Sequence, residues 1–150
     1  MSNVSKEAIQ ELRIKTGVSV MAVKKALDKA DGDMAKAEVF LKEESLLIAS
    51  KKADRETRAG IIQSYVHAGR IGVIVKLKCE TDFVAKNPEF QNFSKDIAMQ
   101  VAASESTRTE ELLKEPYIKN TSLTISDYLK EAIGKFGENI EISDFKKLEL

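Results

Sequence analysis

Apolar residues near the N-terminus recur at helical spacing and predict three short helices within residues 5–44. The first carries Ile9 and Leu12 on its apolar stripe and ends at Gly17, a residue type that commonly terminates helices. Ser19 and Asp33 each precede a further helix and are residue types that cap helix N-termini. The apolar stripes of these two helices comprise Val20, Val23, Ala26, Leu27, Met34, Ala37, Phe40 and Leu41.

The pattern then changes from helical periodicity to alternation. Residues 43–58 are rich in charge and predict a helical extension and linker. Residues 61–67 and 71–80 each alternate between apolar and polar positions, which predicts a β-hairpin closed by residues 68–70. One face of the second strand would carry Val73, Val75, Leu77 and Cys79.

The remainder of the chain predicts further helices and one returning strand. A helix over residues 88–103 begins at Asn87, with Pro88 at its first position, and a short helix is expected after Thr109 as its cap. Residues 116–122 are expected to be irregular, another helix spans 125–136, and weak alternation in 139–150 predicts a third strand. We therefore expect an α+β fold: an N-terminal three-helix module, then a three-stranded antiparallel sheet packed with helices.

The charge balance and the chain ends limit the classes of partner. Lys and Arg number 24, as do Asp and Glu, so the formal charge is zero and direct binding to nucleic acid is not expected. A single cysteine suits a reducing compartment. The N-terminus is polar, and no apolar run is long enough to cross a bilayer. We expect a soluble, cytoplasmic protein without membrane contact.

The residues that carry most enzyme chemistry are scarce. His67 is the only histidine, so neither a two-histidine metal site nor a charge-relay pair can form around it within one chain. Cys79 lies on the predicted apolar face of its strand, where a small buried side chain is expected. The glycines match no phosphate or dinucleotide motif. We expect a protein that is not an enzyme and that holds neither a cofactor nor a metal.

One short connection combines a carboxylate with a large aromatic ring. Asp82 and Phe83 lie between the second strand and the helix at Pro88, and we call residues 81–84 the signature turn. A phenyl ring here either packs into the protein's own core or stays outside to fill a partner's pocket. The usual burial of apolar residues favours the core.

The amino-acid sequences of three segments resemble those of a known family. Thr81-Asp82-Phe83-Val84-Ala85, followed by Asn87 and Phe90, closely resembles the signature of the bacterial elongation factor Ts family. Two further matches lie near the ends of the chain, and the three occur in the family's order. They comprise Leu12-Arg13, Thr16-Gly17, Lys24-Lys25-Ala26-Leu27, Ala30 and Gly32-Asp33 near the N-terminus, and Gly137-Glu138-Asn139-Ile140 near the C-terminus.

The resemblance implies a domain organisation. Residues 1–55 would form a ubiquitin-associated-like three-helix module with a linker helix, and residues 56–150 the α+β core domain of the family. Long members carry two core subdomains, whereas this chain has one copy, which favours a homodimer through the core. Ser143-Asp144 stands where many members carry two arginines.

The resemblance also implies a function, nucleotide exchange on the translational GTPase elongation factor Tu in its GDP-bound and nucleotide-free forms. Thr81, Asp82, Phe83 and Val84 would press on that partner near its magnesium and phosphate site, with Phe83 as the wedge. GDP would leave and GTP would load. The alternative is a ubiquitin-associated-type adaptor that binds protein or RNA without exchange activity.

A second contact would come from the N-terminal module. By resemblance, Leu12, Arg13, Val20 and Met21 face the GTPase domain, although Leu12 is equally compatible with the module core. Arginine is enriched at interface hot spots, which favours Arg13 as a contact. Many relatives carry two methionines where this chain has Val20-Met21.

Overall fold

The computed structural model describes residues 4–150 and begins with three helices. They are α1 (Lys6–Thr16), α2 (Val20–Lys29) and α3 (Met34–Lys52). Ser5, Ser19 and Asp33 each accept a hydrogen bond from a backbone N–H in the first turn of the helix that follows. α1 ends at Gly17, whose φ of 67° is the left-handed conformation that glycine adopts without strain. The three predicted helices are confirmed.

Two hydrophobic cores lie along the chain, and α3 contributes to both. The first core joins the three helices and comprises Leu12, Val23, Ala26, Leu27, Ala30, Ala37 and Leu41. Ala49, near the end of α3, belongs instead to the second core. The charge-rich segment up to Lys52 is therefore a continuous part of α3 that packs on the second core, and residues 53–58 follow the helix. The division into domains after residue 55 stays a prediction.

A three-stranded antiparallel sheet forms the second part of the protein. β1 (Ala59–His67), β2 (Ile71–Cys79) and the last strand of the chain, β5 (Ile140–Glu149), pair in the order β1-β2-β5. The hairpin and the returning strand are both as predicted. Ser143 has no partner in the register of β2 with β5, because the register shifts between Lys76 and Leu77. The strand thus continues through the position where many members carry two arginines.

Helices cover one face of this sheet. α5 (Pro88–Ala103), α6 (Thr109–Lys114) and α7 (Ile125–Phe136) bury the inward side chains of β2. Phe90 and Ile97 of α5 are fully buried against the strand. The observed class is therefore the predicted one, an α+β fold with an N-terminal three-helix unit and a sheet packed with helices.

Two local predictions were wrong. Residues 116–122 are not irregular, because β3 (Pro116–Tyr117) and β4 (Asn120–Thr124) form a small hairpin. The side-chain amide of Gln100 on α5 makes two hydrogen bonds to the backbone of this hairpin. Its NH₂ group donates to the Pro116 carbonyl at 3.1 Å, and its oxygen accepts from the Ile118 N–H at 2.9 Å. Thr109 is the first residue of α6 and not its cap; Arg108 holds the capping position without a side-chain hydrogen bond.

The opposite face of the sheet is open. It carries four exposed apolar side chains, those of Ile62, Val66, Ile74 and Leu148. Lys76 and Asp144 are paired across β2 and β5 on the same surface. Within residues 4–150, none of the helices is both long and apolar enough to cross a membrane.

Candidate partner-binding surfaces

The signature turn contains one turn of helix. α4 (Asp82–Ala85) follows β2 directly, and Thr81 is its N-cap: the Thr81 hydroxyl accepts a hydrogen bond of 3.3 Å from the Val84 N–H. Asn87 then caps α5 by accepting from the Glu89 N–H at 2.9 Å. Each of the two short helical starts thus has a side-chain cap, and only Lys86 and Asn87 separate α4 from α5.

Phe83 lies outside the core. Its side chain is 83% exposed, whereas Val84 and Ala85, the next two residues, are buried in the second core. Successive residues on a helix point in different directions, so burying Val84 and Ala85 turns Phe83 towards solvent. The expectation from burial statistics alone, that this ring is part of the core, is wrong.

Asp82 shares the exposed surface of the turn. It is the first residue of α4 and is exposed like Phe83. A carboxylate in the first helical turn is favourably placed relative to the helix dipole. The turn therefore offers a negative charge next to an unburied aromatic ring.

Hydrogen bonds from the C-terminal part of the chain hold the turn. The Glu138 carboxylate accepts from the Glu80 N–H at 3.2 Å, from the Thr81 N–H at 3.0 Å and from the Thr81 hydroxyl at 2.7 Å. In return, the Glu80 carboxylate accepts from the Asn139 N–H at 2.7 Å. Sequence reasoning matched Glu138 and Asn139 to a family motif but gave them no role.

Cys79 lies beneath the turn and is fully buried. Its thiol donates to the Thr81 carbonyl at 3.3 Å. Burial, together with the nearby charges of Glu138 and Asp82, raises the pKa of the thiol from 9.0 to about 11. The sulfur therefore stays protonated near neutral pH and serves as a small apolar side chain.

The N-terminal module presents a second group of exposed side chains. Arg13 on α1 is exposed, and on α2 Val20 is 43% and Met21 75% exposed. Ile14, which sequence reasoning did not select, is exposed beside Arg13. Leu12 is fully buried in the first core, so its side chain supports the module from inside.

Within the described residues, no three or more His, Cys, Asp or Glu side chains converge in a geometry that could hold a metal ion. His67 is exposed at the end of β1, where its Nδ1 atom lies 2.9 Å from the Tyr65 hydroxyl. Exposed apolar side chains thus lie on the signature turn, on α1 and α2, and on the open face of the sheet. The fold and these surfaces define a small α+β protein with several exposed apolar side chains outside its two cores.

Comparison with known proteins assigns the family. The family model for Elongation factor TS matches residues 80–150. Over 98% of its length the chain is 37% identical to the elongation factor Ts of Carboxydothermus hydrogenoformans, covering 89% of that protein. It is 36% identical over its full length to the elongation factor Ts of Desulforamulus reducens, covering 90%. The relative from Clostridium kluyveri is 42% identical over 97% of the chain, which covers 48% of that longer protein. The chain belongs to the elongation factor Ts family of translation elongation factors.

Proposed function

We propose that this protein is the guanine-nucleotide exchange factor of elongation factor Tu, and that Phe83 is the residue that enters the partner. The observation that carries the proposal is the exposure of this ring, 83%, on a turn whose backbone is hydrogen-bonded on both sides. Burying a phenyl ring contributes about 1.5–3 kcal/mol, which a folded chain normally gains inside its own core. Here that free energy is still available for binding a partner.

The exchange reaction requires that the factor binds the partner better without nucleotide than with it. A ~10³-fold weakening of GDP corresponds to about 4 kcal/mol of differential binding free energy. Binding of Phe83 supplies much of this differential free energy if the pocket that receives the ring opens only when the partner's magnesium-binding elements move. The coupling is reciprocal, so nucleotide weakens binding of the factor by the same ratio, and GTP completes the cycle by displacing it.

Magnesium is the sensitive part of the partner's site. Mg²⁺ requires near-ideal octahedral geometry, so a small displacement of its ligands weakens its binding. Asp82 is exposed like Phe83 and precedes it on α4, so the same partner can contact both residues. A carboxylate that approaches the partner's metal-binding elements competes with the phosphates of the nucleotide for the polar groups of those elements. The diphosphate then loses its neutralising cation and dissociates. The protein makes and breaks no covalent bond in this scheme.

The N-terminal module provides the second contact of the proposal. Arg13, Val20 and Met21 are exposed and of types suited to an interface, an arginine and two apolar side chains. Leu12 acts from inside the module, as part of the first core that holds α1 and α2 together. Two contacts on one chain raise the occupancy of both, because binding of one holds the other at high effective concentration.

The test is release of fluorescent GDP from elongation factor Tu, stimulated by wild-type protein and by the Asp82→Ala/Phe83→Ala variant. The proposal predicts strong acceleration by wild type and little by the variant. Equal acceleration by both would keep the exchange activity and remove it from the signature turn. No acceleration by wild type would reject the exchange function and favour a ubiquitin-associated-type adaptor that binds protein or RNA.

We further propose that two copies associate through the open face of the sheet. Ile62, Val66, Ile74 and Leu148 place apolar side chains on a surface that no part of residues 4–150 covers. A two-fold dimer uses the same patch on both copies, so a single apolar face suffices. Sedimentation equilibrium of wild type and of Ile74→Lys tests this: a dimer that the substitution disrupts supports it, and a wild-type monomer rejects it.

A further inference from the structure

Three separate segments of the chain are joined by hydrogen bonds behind the signature turn. They are the segment just after α3, the junction of β2 with α4, and the two residues just before β5. Glu138 and Asn139 bind the second segment, and the Asn139 amide donates at 2.9 Å to the Arg55 carbonyl and at 3.4 Å to the Ala53 carbonyl. Asn139 is 4% exposed, so these bonds are made away from bulk water. We call this set of contacts the Glu138–Asn139 clamp.

The clamp controls the position of the helix that carries Phe83. The Val84 N–H donates to the Thr81 hydroxyl, which in turn donates to Glu138. The contact with Glu138 holds the Thr81 hydroxyl in place as an acceptor for the Val84 N–H, so the cap of α4 depends on this contact. The carboxylate also fixes the two backbone N–H groups that precede α4, those of Glu80 and Thr81.

The clamp is reciprocal, and this makes it stiff. Glu138 binds the backbone at Glu80, while the Glu80 carboxylate binds the backbone at Asn139. Arg55 adds an ion pair to Glu80 at 3.5 Å and so ties the same point to the segment after α3. Neither segment can shift along the other without breaking bonds in both directions.

We propose that Glu138 is a positioning residue for the exchange reaction. Its carboxylate holds the signature turn in one conformation, so that Phe83 enters the partner without a prior rearrangement of the turn. This inference rests on the proposed function, and it adds a residue that does not need to touch the partner. A contact that is preorganised avoids the ordering cost which a mobile loop incurs on binding. Misplacement of a contact group by about 1 Å lowers rates by up to about 10²-fold, so loosening of the clamp should be measurable.

Two substitutions separate positioning from folding. Glu138→Ala removes all three acceptor contacts, but the freed groups belong to Thr81, which is exposed, and to Glu80, so water can replace them without unfolding the core. Glu138→Gln keeps a carbonyl that accepts from both backbone N–H groups and an amide that can donate to the Thr81 hydroxyl. Glu141→Ala is the matched control: it removes a carboxylate three residues further along the chain, on β5, whose contact is with Thr57 and not with the turn.

The first measurement needs no partner. Hydrogen exchange of the Thr81 and Val84 amides, resolved by NMR, should be about tenfold or more faster in Glu138→Ala than in wild type. The Thr81 N–H loses its acceptor, and the Thr81 hydroxyl, which accepts from the Val84 N–H, loses the bond that fixes it. Exchange of both amides should stay near wild type in Glu141→Ala, with the amides of β2 unchanged in both. Turn amides that exchange at wild-type rates in Glu138→Ala would overturn the clamp as a positioning device.

The second measurement is GDP release from elongation factor Tu at saturating factor. The maximal rate should fall about tenfold with Glu138→Ala and be largely restored by Glu138→Gln, with wild-type rates for Glu141→Ala. A full rate in Glu138→Ala, despite faster amide exchange, would overturn the proposal while leaving the exchange function intact. If wild type itself gives no acceleration, the exchange function fails, and the amide exchange still reports separately whether the clamp orders the turn.

Discussion

Gly134 of α7 lies against Ser45 of α3 so closely that a Cβ atom at position 134 would stand 2.6 Å from the Ser45 Oγ and 3.0 Å from its Cα. The two helices therefore meet at a point where only glycine fits on one side. Because α3 begins in the module core and ends in the second core, this crossing sets how the two cores are held together.

Gly134→Ala should lower the stability of the protein. An added methyl group in a close-packed contact typically costs about 1–3 kcal/mol, which exceeds the roughly 1 kcal/mol gained from the better helix propensity of alanine. The free energy of unfolding from urea titration measures the balance. Gly72→Ala adds the same group where no heavy atom lies within 4 Å and should not destabilise. Adding Ser45→Gly should restore part of the loss. A Gly134→Ala variant more stable than wild type would show that the helices separate without cost.

Much of the fold follows from local pattern, and the exceptions have physical causes. The first three helices have unambiguous caps, Ser5, Ser19 and Asp33, and the strands alternate regularly. The β3–β4 hairpin has no such pattern, because it is held by the amide of Gln100, a residue distant in sequence. Contacts of that kind leave no trace in local periodicity.

The candidate site could be predicted only in part, for the same reason. As a large apolar residue, Phe83 is expected in the core, and only the resemblance of its segment to a family motif predicted an exposed ring. The clamp was missed although Glu138 and Asn139 stood in a recognised motif, since their partners lie more than fifty residues away. Leu12 fits both the apolar stripe of α1 and the family's contact residues, and the packing of α1 decides for the core.

Phe83→Ala should leave stability nearly unchanged and remove most of the exchange activity. The ring contributes little to folding because it is exposed, so its loss should fall within about 0.5 kcal/mol. Phe90→Ala is the contrasting variant: its ring is fully buried, and truncation should cost about 3–5 kcal/mol. Urea titration of both variants, followed by GDP release, separates the two effects. A Phe83→Ala variant as unstable as Phe90→Ala would mean that the ring packs in solution.

Arg13→Ala and Met21→Ala should weaken binding to elongation factor Tu more than they change the maximal rate of GDP release. Both side chains are exposed and lie far along the chain from the signature turn, so they contribute to affinity and not to displacement of magnesium. A loss of about 1–2 kcal/mol, at the lower end for a residue that matters to an interface, gives a five- to thirtyfold change in half-maximal concentration. Lys24→Ala, another exposed substitution on α2, is the control. The module contact is rejected if all three variants behave alike in a titration of rate against factor concentration.

Glu131→Gln should stabilise the protein near neutral pH. Burial raises the pKa of the Glu131 carboxyl above its usual 4.5; Lys42 opposes the shift and Asp127 adds to it. The folded state therefore binds this proton more tightly than the unfolded chain does, and the contribution of the group to stability falls as pH rises through 4.5 and the raised value. A neutral glutamine removes that loss.

Thermal unfolding of wild type and Glu131→Gln over a range of pH checks the sign. The melting temperature of the variant should exceed that of wild type near neutrality, and the difference should shrink below pH 4.5, where the wild-type carboxyl is protonated in both states. Glu105→Gln, in an exposed loop, should show a much smaller difference. A lower melting temperature for Glu131→Gln near neutrality would indicate that the attraction to Lys42 outweighs burial.

The Cys79 thiol should resist alkylation in the folded protein, and its reactivity should report on the clamp. Raising the pKa from 9.0 to about 11 lowers the reactive thiolate fraction near pH 8 about 100-fold relative to an unfolded thiol, and burial adds to this protection. Glu138→Ala removes a negative charge close to the sulfur and frees the turn above it, so alkylation should become faster, whereas Glu141→Ala should react like wild type.

Labelling with a maleimide, quantified by intact mass, gives the rates. Native wild-type protein that reacts as fast as the urea-unfolded chain would contradict the burial of Cys79, and equal rates for wild type and Glu138→Ala would indicate that the turn stays closed over the sulfur without the clamp.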